Sequence, residues 1–484
     1  MKQKSKHPEW VLAQRKPKTE IRFINGKYYL YEATSKWNPE KKRSQKITGR
    51  LLGKITPEGF IESDKHKLRS MSEHTLKNPP SVKEYGASNF VLTYMSEYVD
   101  KLQLHFPELW KEIVSLSIIR LLYQSPIKNT GFFFEKSYLS ELYNDVRLGE
   151  KMVSALYRKF GTMREQSVEY MKCFFTKDDY VLIDATNIIS FSERIGISHI
   201  GYNSKRQYDP QINLMLMYSS KLHTPMYFRV IPGNIREVSA LKLCVDECGA
   251  KNVTIVADKG FYSDDNIHTL DSLGLQYIIP LRRSSAMIDY SFVIEDKMND
   301  FFTYQGRHVF YCNYNIGDKE VHLFHDTELK MREEKDYLNR VKTNPETHSL
   351  SEFKSKRAKF GTIALFTNKK KKSSQEIYED YKIRNHVETM IDAMKNTLMA
   401  DTSNMQNEEA FNGWMFINFI ALQFYYKIYR LLKEKNLINK HSPQDLIKQL
   451  IEVRKVKMNQ NWTTAEIHGK TKKLMEKLEI NPIT

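Results

Sequence analysis

Two kinds of hydrophobic pattern divide the chain. Between Tyr85 and about Lys177, apolar residues return every three or four positions, as in "FVLTYMSEYVDKL" and "LWKEIVSLSIIRLLYQ". That spacing predicts amphipathic helices. From Asp178 the period changes to short β-prone runs between turn residues: "DYVLIDATNIIS", "INLMLMYSS" and "PMYFRVIPGN". A helical "EVSALKLCVDEC" follows, then a buried strand "NVTIVADKG", a helix "SDDNIHTLDSLG" and a strand "LQYIIPLR". The order predicts an α/β fold whose sheet has mixed strand pairing.

The rest is arranged around that core. Residues 1–80 read as a basic, strand-rich region in which "KYYLYEATSKW" and "RSQKITGRLLGKI" flank an Asn-Pro turn as a hairpin. Residues 81–177 are helical, and 178–281 form the first part of the core. Residues 282–361 break its pattern with strand-like "FFTYQGRHVFYCNYN" and "KEVHLFHD" and a charged "ELKMREEKDYLNRVK", so they read as a β-rich insertion. The core resumes over 362–432, and 433–484 read as a C-terminal helical region suited to dimerisation.

Charge changes the picture next. Among 484 residues, 75 Lys+Arg stand against 58 Asp+Glu, a net charge of +17. Such an excess attracts polyanions, in a soluble protein most often nucleic acid. Solvated basic faces account for the charge equally well on composition alone. Lys41, Lys42 and Arg43 at the hairpin turn are the first candidate phosphate contacts. The four cysteines match no metal or redox spacing; Cys244 and Cys248, one helical turn apart, read as buried thiols. That usage suits a reducing cytoplasm. "MKQKSKHPEW" is basic but is followed by no apolar run, so no signal peptide is expected. The most apolar segment, "WMFINFIALQFYYKIYRLL" from Trp414 to Leu432, is interrupted by Asn418, Gln423, Lys427 and Arg430. It reads as a buried core helix, and no membrane partner is expected.

Three acids then draw attention. Asp184 ends the apolar run of "YVLIDAT", and Asp258 follows "VTIVA". Two carboxylates at the ends of neighbouring strands repel each other unless a cation neutralises them. Hard oxygen donors suit Mg2+ or Mn2+, and a pair of such ions serves in-line attack at phosphorus. A third acid is needed. The stretch "YKIRNHVETMIDAMKN", Tyr381 to Asn396, reads as one amphipathic helix. At about 100° per residue, Tyr381, Arg384, Glu388 and Lys395 share an arc of about 60° beside the apolar stripe. Asp392 lies near the same arc, so helical geometry leaves the third acid open between Glu388 and Asp392. Charge pairing four residues apart explains Arg384 and Glu388 on an isolated helix equally well.

These residues resemble the DDE transposases of bacterial insertion sequences, in the branch marked by Y-x2-R-x3-E-x6-K. Tyr381, Arg384, Glu388 and Lys395 match that signature at every position. "IDAT" and "ADKGF" resemble the segments around the family's two aspartates, and "GYNSKRQYDPQINLMLMY" and "IPGNIRE" its intervening core. The resemblance covers about residues 178 to 432. It implies a ribonuclease H-like core in which Asp184, Asp258 and Glu388 are catalytic and hold two Mg2+ ions, with Mn2+ as substitute. It implies double-stranded DNA as partner, both terminal inverted repeats and target, and a homodimer pairing two element ends. Tyr381, Arg384 and Lys395 would contact terminal DNA, joined by Lys205, Arg206 and Lys259. Location would be cytoplasmic, at the nucleoid when DNA is bound. Relatives hold a flipped base with a tryptophan in the insertion. Here the five tryptophans all lie outside 282–361, leaving Phe301, Phe302, Tyr304, Phe310 and Tyr311 as stacking candidates. Two other functions use the same residues: a metal-dependent nuclease without strand transfer, and a non-catalytic transposase-derived DNA-binding protein.

Overall fold

The structure is a computed structural model that describes residues 7–77, 80–201, 208–235, 237–458 and 461–480. Two units separate by their internal contacts: residues 1–82 with 456–463, and residues 83–455 with 464–484.

The first unit holds an antiparallel sheet of four strands in sequential order, β1 (Thr19–Ile24), β2 (Lys27–Asn38), β3 (Arg43–Thr56) and β4 (Gly59–Glu62). Asn25 and Gly26 join β1 to β2 with φ of 48° and 75°. Two consecutive positive values suit the right-handed twist of a tight hairpin, and Asn-Gly tolerates them best. At the next turn the Asn38 Oδ1 accepts the backbone N–H groups of Glu40 (3.0 Å) and Lys41 (3.1 Å). Val11, Leu30 and Ile55 form this unit's small core.

The second unit is built on one large mixed sheet. Its centre is β5 (Tyr180–Ser190), which pairs antiparallel with β6 (Pro210–Ser219), itself antiparallel to β7 (Thr224–Pro232). On its other side β5 runs parallel to β8 (Thr254–Ala257), and β8 parallel to β9 (Gln276–Pro280). Helix α2 (Glu237–Cys248) connects β7 to β8 and α3 (Asp264–Ser272) connects β8 to β9; α1 (Glu150–Thr162) precedes the sheet in the chain. The order β7-β6-β5-β8-β9, an antiparallel meander followed by two parallel strands, is a ribonuclease H-like core. Near-continuous burial along β6 and β8 explains their apolar sequences, since both faces are covered.

Beyond β9 the sheet continues without a break. Strand β13 (Thr362–Thr367) pairs antiparallel with β9, and β12 (Lys319–Asp326), β11 (Arg307–Ile316) and β10 (Asp300–Tyr304) follow outward. The strands of 282–361 therefore extend the core sheet. The charged segment after them is a helix, α4 (Thr327–Thr343), capped by Asp326, whose side chain accepts from the Leu329 N–H.

Three sequence expectations change. Asp184 does not end a strand: β5 runs on to Ser190, because "ATNIIS" keeps pairing with β6. "YKIRNHVETMIDAMKN" is not one regular helix. It divides into α5 (Ser374–Lys382), α6 (Asn385–Asp392) and a π-helical turn, Ala393–Thr397. The joint is a tightened turn, with N–H groups of Arg384, His386 and Val387 bonding three residues back. The region after residue 433 is not wholly helical either: strands Arg454–Met458 and Asn461–Thr464 lie between its helices.

The apolar run from Trp414 lies in α7 (Glu408–Glu434), most of it buried. Its buried amides are satisfied inside the protein. Asn418 accepts from Arg120 Nε at 2.8 Å, and Gln423 donates to the Pro225 carbonyl at 2.9 Å and accepts from the Tyr170 hydroxyl at 2.7 Å. No helix among the described residues is long and apolar enough to cross a membrane. Helix α7 crosses α1 at backbone contact. A Cβ on Gly413 would sit 1.9 Å from the Tyr157 carbonyl oxygen, and one on Gly161 1.8 Å from that of Glu409. Gly413→Ala must push the helices apart, so it is expected to lower stability by about 2–3 kcal/mol. Chemical denaturation measures this as a lower midpoint with an unchanged slope.

Candidate active site

Strand register brings the first two acids together. In the parallel pair, Ile183 stands opposite Ala257. The next residues are Asp184, still within β5, and Asp258, the first residue past β8, which enters a 3-10 turn over Lys259–Phe261. Asp184 Oδ1 accepts the Ala185 N–H at 2.9 Å. Its Oδ2 lies 3.3 Å from Nη1 of Arg384, at the joint of α5 and α6. Nη2 of the same guanidinium pairs with Glu388 Oε1. Arg384 is thus a cation fixed between two acids. It is itself largely buried, which disfavours its charge, but Tyr381, Asp184, Glu388 and Asp258 together raise its pKa above the usual value.

The electrostatics of Asp184 show how crowded the charges are. Burial pushes its pKa from 3.8 to about 6. Arg384 and the Ala185 N–H pull it down, while Asp258 and Glu388 push it up. Glu388 is therefore within electrostatic reach of Asp184, and it also acts on Tyr381 and Arg384. Asp392 looks elsewhere. Its Oδ1 accepts from Asn396 Nδ2 at 2.6 Å, and its charge acts on Tyr425 and Tyr426 of α7. Of the two acids left open by the helical wheel, Glu388 joins the aspartates.

The remaining candidates fall into three groups. Tyr381 is buried beside the acids, and its phenol is held protonated by burial, with Asp258 adding to the effect. Lys259 is exposed on the turn after Asp258. Lys395 sits half-buried on the π-helical turn, whose wider winding rotates it from the bearing of an unbroken α-helix. Lys41, Lys42 and Arg43 are exposed at the β2–β3 hairpin of the other unit. Lys205 and Arg206 lie outside the described residues. Of the aromatics proposed for stacking, Phe302 is buried against Phe324 and Tyr378. Tyr304 and Tyr311 are half-buried. Phe301 and Phe310, opposite each other on β10 and β11, present exposed rings.

A cleft of about 530 Å³ opens beside Asp258 and Tyr381, walled by Lys259, Arg282, Tyr378 and Lys382. Sequence reasoning passed over Arg282 and Lys382. The signal was thin: Lys382 follows Tyr381 directly, but only the insertion strands folding beside it enclose it.

The donor set is compatible with a divalent cation. Three carboxylates offer hard oxygens, and Asp184 is desolvated beyond what Arg384 compensates. Among the described residues no three acid, His or Cys side chains close round a common point. The positive charge between Asp184 and Glu388 is the Arg384 guanidinium.

The arrangement defines a class of proteins before any particular relative: acids on adjacent strands of a ribonuclease H-like sheet, with a third on a following helix. The chain belongs to the transposase DDE domain family, whose family model matches residues 176–424, just over half of the sequence. No curated protein matches it. Among solved structures, it is similar to piggyBac transposase in a cryo-EM synaptic complex with hairpin DNA. Identity there is 10%, TM-score 0.40, and coverage 71% of this chain and 70% of that one.

Asp184 supplies a pH-dependent prediction. Its folded-state pKa is raised, so its favourable contribution is present below about pH 4 and lost as pH rises through about 6. Asp184→Asn stays neutral throughout. In metal-free buffer the variant is expected to be more stable than the unsubstituted protein by roughly 3 kcal/mol at about pH 8, and nearly equal to it at about pH 4. Urea denaturation at the two pH values checks this.

Proposed function

We propose that this member of the transposase family moves an insertion sequence. It binds the element's terminal inverted repeats, hydrolyses a phosphodiester at each end and joins the freed 3′-OH to target DNA. Asp184, Asp258 and Glu388 hold two Mg2+ or Mn2+ ions. When bound, such ions supply Lewis-acid stabilisation of the attacking and leaving oxygens. Tyr381, Arg384, Lys395 and Lys259 position the terminal strand. Arg384 gives each phosphate it grips a charge-assisted, two-pronged contact. The phosphate competes with Asp184 and Glu388 for the same guanidinium. Lys205 and Arg206 contact DNA in the same domain. Lys41, Lys42 and Arg43 contact it from the N-terminal unit, and two copies act together on paired ends.

One observation carries the reading: within a matched transposase DDE domain, Asp184 and Asp258 follow the paired residues Ile183 and Ala257 of parallel strands, and Arg384 ties Glu388 to Asp184. The identity of the partner draws further support from the net charge of +17.

The test is cleavage and strand transfer on linear DNA carrying the element's ends, with Mg2+ or Mn2+. The protein is expected to cleave and join, and Asp258→Asn to do neither while still binding DNA. Cleavage without joining selects the nuclease reading. DNA-dependent activity unchanged in Asp258→Asn would falsify the catalytic assignment. DNA affinity is also expected to fall steeply with salt, because each neutralised phosphate releases counterions. Anisotropy titrations across a salt series measure the slope, and a flat slope removes the broad phosphate-binding surface.

A further inference from the structure

The cleft beside Asp258 carries more positive charge than its own acids balance. Of its wall residues, Arg283 is tied to Glu333 at 2.9 Å. Asp326, also at the wall, is tied to Arg307 at 2.7 Å. Lys259, Arg282 and Lys382 also line the cleft, and among the described residues none has a carboxylate partner. Asp258 is the acid left to face them, and the proposed function commits it to metal.

Lys382 is the most informative of the three. Lys259 and Arg282 are exposed, so water stabilises their charge. Lys382 is half-buried at the end of α5, its ammonium 4.8 Å over the ring of Tyr378. Burial lowers its pKa, and the nearby cations Arg307 and Arg384 lower it further, against a partial offset from Asp326. A half-buried lysine among cations costs folding stability, and the ring face offsets only part of that. An anion entering the cleft would relieve the strain. Tyr381 lines the same cleft beside Lys382.

We propose that Lys382, with Lys259 and Arg282, forms a phosphate subsite in the cleft between the core sheet and the insertion, holding a backbone phosphodiester of DNA next to the bond cut at Asp258. Lys382 is a positioning residue there and takes no part in the chemistry. The identity of the anion as DNA rests on the proposed function; the need for an anion rests on the cleft itself.

The experiment uses the full chain in EDTA, so that no cleavage intervenes. A fluorescein-labelled duplex of arbitrary sequence is titrated at several salt concentrations against the unsubstituted protein, Lys382→Ala and Lys382→Arg. Thermal unfolding of each variant is recorded alongside. Lys382→Ala is expected to bind severalfold more weakly, with a log–log salt slope shallower by about one. Lys382→Arg is expected to retain the slope. Removing an unpaired charge should leave the unfolding temperature of Lys382→Ala unchanged or raised. An unchanged slope in Lys382→Ala, with the unsubstituted protein binding normally, overturns the subsite and leaves the transposase reading standing. A lowered unfolding temperature with an unchanged slope assigns Lys382 a structural role instead. Failure of the folded, unsubstituted protein to bind the duplex at any salt overturns the DNA reading itself.

Discussion

The pairing of Ile183 with Ala257 is the contact on which the site depends. Parallel chains advance in the same direction, so the residues after that pair, Asp184 within β5 and Asp258 just past β8, come side by side. Antiparallel pairing with β6, which sets Leu216 opposite Asp184, locks β5 from its other edge. A slip of one residue in either ladder would turn Asp184 to the other face and bury the wrong side chains. The apolar residues of β6 and β8 make such a slip costly, because both faces of these strands are packed.

Two carboxylates placed this way need a cation, and the protein supplies one from a distance of 200 residues along the chain. Arg384 stands at the joint of α5 and α6, where a tightened turn aims its guanidinium at Asp184 while Glu388, one turn on, takes its other nitrogen. The joint, the π-helical turn after it and the extension of the sheet by β10 to β13 all shape one region. Backbone irregularity here is not loose structure. Tightened and π turns recur where side chains must be aimed.

The insertion strands contribute a wall and not a separate layer. Because β12 pairs with β13, and β13 with β9, the core sheet is continuous out to β10. That continuity forms the cleft beside Asp258 and encloses Lys382 within it.

Much was readable in the chain before folding. Alternation and apolar runs marked the hairpin of β2 and β3, the core strands and the buried helix α7, since these patterns report directly which residues must leave water. The acids Asp184 and Asp258 stood out because a carboxylate after an apolar run needs a partner. The end of β5 was misread because "ATNIIS" mixes polar and apolar residues, and only pairing with β6 holds it extended. The break at Arg384 was invisible because "YKIRNHVETMIDAMKN" has good helical periodicity throughout. By itself the sequence determined the elements, the core and the chemical types available, because burial preference and backbone propensity are local. Tertiary structure alone set Glu388, and not Asp392, within electrostatic reach of Asp184, gave Arg384 its two acids and left Lys382 among cations. Those outcomes depend on which distant strands and helices meet, and electrostatic energy depends on distance in space, not separation along the chain.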